Sequence, residues 1–78
     1  TNHDRVHLAL RHLHMMLALR GEGMAVREMR KHVAWYLQGM RGCARMRQEI
    51  NHLESAQAVR LALKGYLEAQ EPEPSAHG

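Results

Sequence analysis

The sequence is poor in the features that stabilise secreted proteins or anchor membrane proteins. It has one cysteine among 78 residues, which rules out an internal disulfide, and its cysteine and histidine positions match no zinc-ribbon or zinc-finger spacing. No apolar run approaches the roughly 20 residues of a membrane span, and the first residues lack the shape of a signal peptide. A lone thiol beside six methionines therefore predicts a reducing, cytoplasmic setting without membrane contact.

Aromatic residues are also scarce: phenylalanine is absent, and the chain carries one tryptophan and two tyrosines. This composition argues against a β-rich fold. A chain of this length forms one domain at most and buries only about 60% of the surface that it exposes when unfolded, so its stability should be marginal. The sequence begins without methionine, at what looks like the start of a helix, and we expect it to be a fragment of a longer protein.

The positive charge is concentrated in the middle third of the chain. Residues 27–47 carry six cations and one acid, whereas residues 54–78 carry two cations and four acids. Such a distribution is typical of a surface that meets a polyanion, although a solvated basic face without a partner would look the same. The six cations are Arg27, Arg30, Lys31, Arg41, Arg45 and Arg47.

Apolar residues recur at helical spacing in four segments. The spacing predicts helices over about His3–Arg20, Met24–Gln38 and Cys43–His52, and a fourth helix that begins after Ser55 as its N-cap. Four amphipathic helices joined by short loops make the expected fold class all-α, as a compact antiparallel four-helix bundle.

This domain should span residues 1–69, and the acidic, proline-containing residues 70–78 should form a disordered tail. Thr1 with Asp4 three residues later resembles a capping box, and Gly21 and Gly23 are expected to end helix 1. The residues predicted to face the core are Val6, Leu10, Leu13, Leu17, Val26, Met29, Val33, Tyr36, Leu37, Met46, Ile50, Leu53, Val59, Ala62, Leu63, Tyr66 and Leu67.

Helix 1 carries a second apolar stripe, formed by Leu8, Met15 and Leu19, nearly opposite the first. A helix that is apolar on two sides needs two packing partners, but a bundle this small easily supplies only one of them. Either helix 4 wraps round and covers this stripe, or the stripe docks against a domain that lies outside the sequence. The missing initial methionine favours the interdomain contact.

The segment from Val26 to Gly39, VREMRKHVAWYLQG, combines a basic turn with an aromatic pair, and GCARMR follows from Gly42. In this order, with Ile50-Asn51 and the Glu54-Ser55-Ala56 helix start, these motifs resemble the C-terminal helical domain of the bacterial tRNA-dihydrouridine synthases. The resemblance covers about Arg20 to Leu67 and does not extend to the tail.

The resemblance implies a tRNA-binding module that is not itself an enzyme. Members of that family use FMN to reduce chosen uridines of tRNA to dihydrouridine, and an N-terminal (β/α)8 barrel holds the flavin and a catalytic cysteine. No barrel strands are expected here, so we expect no catalytic residue and no cofactor in these residues, with FMN in the barrel of the parent enzyme. Cys43 does not correspond to the catalytic cysteine and should have a packing role.

The six cations are therefore the predicted tRNA contacts. A helical projection puts Arg27 and Lys31 on one solvent-facing flank of helix 2, with Arg30 at its margin. Arg41 and Arg45 should lie one turn apart at the start of helix 3, where free N–H groups and the positive end of the helix dipole suit phosphate, with Arg47 pointing elsewhere. Arginine meets phosphate oxygens with two parallel hydrogen bonds, and recognition of tRNA should depend mostly on its shape.

The remaining aromatic and histidine residues are less specific. Tyr36 should face the core, and Trp35 lies near the opposite side, where base stacking or barrel contact is an alternative to the favoured partly buried packing role. His3, His7 and His14 share one face of helix 1, with a ligand-like i, i+4 pair. No acid or cysteine completes a metal site there, and we expect none.

Two other functions remain open. A small helical adaptor would bind a partner protein through Leu8, Met15 and Leu19, with little salt dependence. A DNA-binding helix-turn-helix would use the junction of helices 2 and 3 as its turn. Against it, the cations cluster before that turn, and helix 3 is short and has few base-reading side chains.

Overall fold

The structure is a computed structural model and describes residues 1–70. These residues form four α-helices and no strand: α1 (Asn2–Arg20), α2 (Glu22–Tyr36), α3 (Cys43–Asn51) and α4 (Ala56–Ala69). The all-α fold class is confirmed, and the predicted helices agree with the observed ones to within two residues at each end. The predicted disordered tail, apart from Gln70, lies outside the described residues.

The start of α1 is fixed by the capping box that the sequence indicates. The Thr1 hydroxyl accepts a hydrogen bond from the Asp4 N–H at 3.1 Å, and the Asp4 carboxylate in turn accepts one from the Thr1 amino group at 3.1 Å. Both bonds satisfy N–H groups that have no partner inside the helix. Gly21, with φ of 83°, then supplies the left-handed conformation that ends α1 at Arg20.

Gly21 alone separates α1 from α2, so the two helices form a tight antiparallel hairpin. Their register is visible where Arg5 near the start of α1 donates to the Gln38 carbonyl just beyond α2. The expectation that Gly23 also interrupts the chain was wrong, because Gly23 lies inside the first turn of α2. One positive-φ residue is enough to reverse the chain between two helices in direct contact.

The last helix is capped from two sides. The Ser55 side chain accepts from the Ala58 N–H at 3.0 Å, as predicted, and Glu22 at the start of α2 accepts from the Ala56 N–H at 3.0 Å. The second bond places the beginning of α4 beside the beginning of α2. The two helices therefore run in the same direction, and α4 is antiparallel to α1.

Helices α2 and α4 occupy the centre of the domain, since each of them packs against all three other helices, whereas α1 and α3 do not touch each other. The core between them is wholly apolar among the described residues, with no buried polar side chain. Most of the predicted core residues are buried or half-buried, including half-buried Cys43, which packs against the core as expected. In residues 1–70 no helix is both long enough and apolar enough to cross a membrane.

One part of the predicted core stripe of α1 was wrong. The buried residues of α1 are Val6, Ala9, Leu13 and Met16, whereas Leu17 is exposed. The stripe is thus rotated toward α2, because the hairpin brings that side of α1 into the closest contact. The rotation leaves Leu17 at the edge of the contact with α4, where it lines a small groove of about 320 Å³.

Candidate functional site

The solvent-facing side of α2 carries two of the predicted cations. Arg27 and Lys31 are exposed and lie one turn apart, and the buried Val26, Met29 and Val33 fix the helix face behind them. The Lys31 Nζ is 3.4 Å from the Glu28 Oε2. Such an exposed pair contributes little to stability. Lys31 is therefore able to exchange its carboxylate partner for another anion at small cost.

Arg30 has a different environment. It is half-buried, and its guanidinium donates to the Leu53 carbonyl, between α3 and α4, at 2.7 Å. This bond ties the middle of α2 to the connection that leads into α4. Arg30 was predicted only as a tRNA contact, and the structure shows that it also joins α2 to the connection between α3 and α4.

The other three cations surround the start of α3. Arg45 and Arg47 lie in the helix and are exposed, and exposed Arg41 lies in the turn before it rather than in its first turn. Gly42, with φ of 76°, begins α3 without a side-chain cap. A left-handed residue at this position allows the chain to enter the helix directly after a tight turn. We call the exposed cations of α2, of the turn before α3 and of α3 the basic surface: Arg27, Lys31, Arg41, Arg45 and Arg47. Arg47 projects from a different side of α3 than Arg45, because the two are only two residues apart in the helix.

The turn that carries Arg41 is anchored by α4. The Tyr66 hydroxyl donates to the Arg41 carbonyl at 2.7 Å, and the Gln70 Nε2 donates to the same oxygen at 3.2 Å. Burial raises the pKa of the Tyr66 hydroxyl above its ordinary value. Tyr66 therefore remains a donor over a wide pH range and positions the start of α3.

We expect Tyr66→Phe to reduce the free energy of unfolding by about 1 kcal/mol, because it removes this one hydrogen bond and keeps the ring. Because the pKa of the Tyr66 hydroxyl is raised in the folded protein, its contribution to stability is fully present below the ordinary tyrosine pKa of about 10. That contribution is lost as pH rises through the folded-state pKa. Urea unfolding at pH 7 and at alkaline pH measures both effects. Equal stability of the two proteins at pH 7 would contradict an anchoring role for the hydroxyl.

Trp35 lies on the same exposed side of α2 as Lys31. Its side chain is 69% exposed, so the favoured prediction of a partly buried packing role was wrong. Tyr36, in contrast, is half-buried and packs against the core, in line with its predicted inward orientation. The two rings make an edge contact with centroids 5.6 Å apart and planes at 67°.

A polar cluster at the contact of α1 and α2 was not predicted. The His12 Nδ1 is 3.1 Å from the Tyr36 hydroxyl oxygen, and the His12 and His32 ring centroids are 4.9 Å apart. The His32 Nε2 lies 3.7 Å from the Glu28 Oε2, which has no hydrogen-bond partner. The antiparallel hairpin register brings His12 opposite His32, and the sequence would have indicated this pair once the one-residue turn at Gly21 was known.

The histidines predicted to share one face of α1, His3, His7 and His14, are all exposed. Residues 1–70 contain no group of three His, Cys, Asp or Glu side chains that is able to hold a metal ion. His3, His7 and His14 therefore do not form a metal site, and the histidines that contact each other are His12 and His32 between α1 and α2.

The second apolar stripe of α1 is not covered by α4. Leu8, Met15 and Leu19 are 52%, 53% and 72% exposed. Leu8 and Met15 border an open groove of about 840 Å³ beside α1, which Tyr36 of α2 and Arg60 and Lys64 of α4 also line. The stripe is exposed because α1 sits at the side of the domain, away from α3.

The described residues do not fit a flavin. A cofactor site is normally a deep pocket in which several polar groups converge on the ligand. Here the two grooves are open depressions beside α1. Polar side chains such as His7, Arg11 and Lys64 border the larger one, but it would not enclose a ligand, and the interior holds no polar side chain. Residues 1–70 instead expose cations on α2, on α3 and in the turn between them, and such cations attract an extended anion.

Comparison with family models matches residues 1–71 to the model described as Dihydrouridine synthase (Dus). No solved structure matches the chain. The matched range includes all four helices, so it extends beyond the Arg20–Leu67 segment that carries the resemblance and takes in α1.

Proposed function

The chain belongs to the dihydrouridine synthase family, and from this membership we propose that it is the C-terminal helical tRNA-binding module of a bacterial member. In this proposal the module is a fragment of a cytoplasmic flavoenzyme and holds tRNA without catalysing a reaction. An N-terminal FMN-dependent barrel, outside this sequence, reduces the selected uridine to dihydrouridine.

The observation that carries the proposal is the basic surface. Four of its five cations project from two helices whose opposite faces are packed into an apolar core, and Arg41 lies in the turn between these helices, so the backbone that carries them is ordered before a ligand arrives. Cations on an ordered backbone bind a phosphate backbone with a smaller loss of conformational entropy than cations on a flexible chain do. Arg30 also belongs to the proposed tRNA contacts, although its bond to Leu53 limits how far it is able to reach.

The exposed stripe of α1 has a place in the same proposal. Leu8, Met15 and Leu19 would dock against the catalytic barrel of the same polypeptide, which explains why these large apolar side chains are exposed on one helix of a small domain. Barrel contact on α1 and tRNA contact on α2 and α3 would then use different sides of the module. The barrel would be able to reach a uridine of the tRNA that the module holds.

A second candidate function is a protein-interaction adaptor, and the same exposed stripe favours it. In that case a partner helix would cover Leu8, Met15 and Leu19, and the basic surface would remain solvated. Binding through apolar contacts changes little with salt, whereas binding to phosphates weakens steeply as salt increases. The salt dependence of binding therefore separates the two functions.

The test is a titration of the 78-residue chain with unmodified tRNA and with a DNA duplex of equal length, each at two salt concentrations. We expect binding to tRNA that weakens about 0.7–0.9 log units in affinity per log unit of salt for each phosphate contacted, and weaker binding to DNA. Absence of salt-dependent tRNA binding, or equal affinity for DNA, would overturn the proposal. Measurable binding of FMN to the same chain would overturn the assignment of the flavin to another domain.

A further inference from the structure

Trp35 is the largest apolar side chain of the domain that the core does not use. A tryptophan buries about 150–250 Å² when it packs, yet this indole remains 69% exposed on a helix whose other side is fully packed. We infer that Trp35 stacks on an unpaired nucleobase of bound RNA. The inference rests on the proposed function and adds the kind of RNA that the module recognises.

The indole contacts one neighbouring ring, which is itself anchored to α1. Tyr36 contacts it edge to face, and the Tyr36 hydroxyl is in turn bonded to the His12 Nδ1 at 3.1 Å. The His12 and Tyr36 rings also meet edge to face, with centroids 5.8 Å apart. This series of contacts ties Trp35 to α1 through Tyr36. A restrained ring loses little freedom when a base stacks on it, which favours binding.

The charges around the indole select a nucleic acid rather than an apolar protein surface. Lys31 and Arg27 precede Trp35 by four and eight residues on the same exposed side, which corresponds to about 6 Å and 12 Å along the helix axis. Both cations would have to be desolvated beneath an apolar partner. Next to a strand of RNA they face the phosphates while the indole faces a base.

The base must be unpaired. In a double helix the faces of the bases are covered by their neighbours, and the wide shallow groove of A-form RNA presents hydroxyls and base edges instead. The indole would therefore contact a loop, a bulge or a single-stranded end. A flat ring accepts any base, so the contact selects unpaired structure rather than sequence.

Trp35 is the only tryptophan of the chain, and its fluorescence therefore reports directly on the proposed contact. The probes are a single-stranded RNA and a blunt RNA duplex with the same number of phosphates. We expect the single strand to quench the emission as it binds, and the duplex to bind without comparable quenching. Equal quenching by both RNAs would overturn the inference.

The matching variant is Trp35→Leu, with binding followed by anisotropy of labelled RNA. Loss of one stacked base should weaken single-strand binding about 5- to 100-fold, leave the salt dependence unchanged, and affect the duplex much less. Trp35→Phe should retain part of the affinity. The control is Leu61→Ala, which removes an exposed apolar side chain, 55% exposed, from α4 and should change nothing.

The outcomes separate this inference from the function on which it rests. If wild-type protein binds tRNA with the expected salt dependence and Trp35→Leu binds the single strand equally well, the stacking inference is wrong and the tRNA-binding proposal stands. If wild-type protein binds no RNA, both are wrong. An equal loss of affinity for single strand and duplex would also overturn stacking, since it would indicate a contact common to both RNAs.

Discussion

Replacing Arg27 and Lys31 together by alanine should weaken tRNA binding roughly 25- to 60-fold at 0.1 M salt. Each phosphate contact contributes about 0.7–0.9 to the slope of log affinity against log salt, and two contacts are lost. Because Lys31 already pairs with Glu28 at 3.4 Å, the loss should lie near the lower end of this range. The salt slope should fall by about 1.4–1.8 in the same measurement.

The chain offers a matched control on α4, where Arg60 and Lys64 form an Arg–Lys pair with the same spacing and are also exposed. Their double alanine variant removes the same charge from a face outside the basic surface. At a screening length of about 10 Å, its affinity should stay within about threefold of wild type. Equal losses in both variants would show that net charge, rather than the α2 surface, determines tRNA binding.

Helicity provides the structural control for the α2 variant. The surface ion pair that it removes contributes about 0.3–0.5 kcal/mol, and alanine has the highest helix propensity. The circular dichroism of the double variant should therefore match that of wild type. A loss of helicity would make Arg27 and Lys31 structural residues, and the weaker binding would then say nothing about direct contact with tRNA.

The helices and their caps were predictable because they depend on local sequence. The Thr1–Asp4 capping box and the Ser55 cap satisfy backbone groups within the next turn, and the apolar spacing of α2, α3 and α4 identifies their buried faces. At Gly21, the residue type alone indicated the end of a helix. That this single residue joins two helices depends on their packing, which the sequence does not display.

The errors concern residues whose environment depends on how the helices are arranged. Helix α1 carries apolar side chains on two sides, and its own sequence does not determine whether Met16 or Leu17 faces the core. The packing of α2 determines that choice, and the same packing buries Met16. Trp35 was misjudged for a related reason: its size favours burial, but no helix covers that side of α2.

The binding roles of the basic surface and of Arg30 remain predictions, and the structural environment of these cations differs from residue to residue. Arg27, Arg45 and Arg47 are exposed, as a phosphate contact requires, whereas Arg30 has a bond to the backbone of Leu53 that no sequence pattern indicates. Sequence spacing gives the side of a helix on which a cation lies. It does not reveal an acceptor supplied by a connection more than twenty residues away.

Replacing Leu63 by alanine should remove about 2–5 kcal/mol of stability, as much as we expect from any single truncation in the core. Leu63 is fully buried in α4, one of the two central helices, so its truncation leaves a cavity that several helices line. A domain of about 70 residues has a total stability of only about 4–10 kcal/mol. The variant should therefore be close to unfolding at 37 °C.

The comparison that isolates the cause is Leu61→Ala in the same helix. Leu61 is 55% exposed, so the same change of side chain should cost less than about 1 kcal/mol. Thermal unfolding followed by circular dichroism should show a fall of at least about 8 °C for Leu63→Ala and a small one for Leu61→Ala. Similar shifts for both would contradict the arrangement of α4, because they would mean that its two faces are equally buried. A large loss for Leu63→Ala with a small one for Leu61→Ala requires that only one face of α4 is packed into the core.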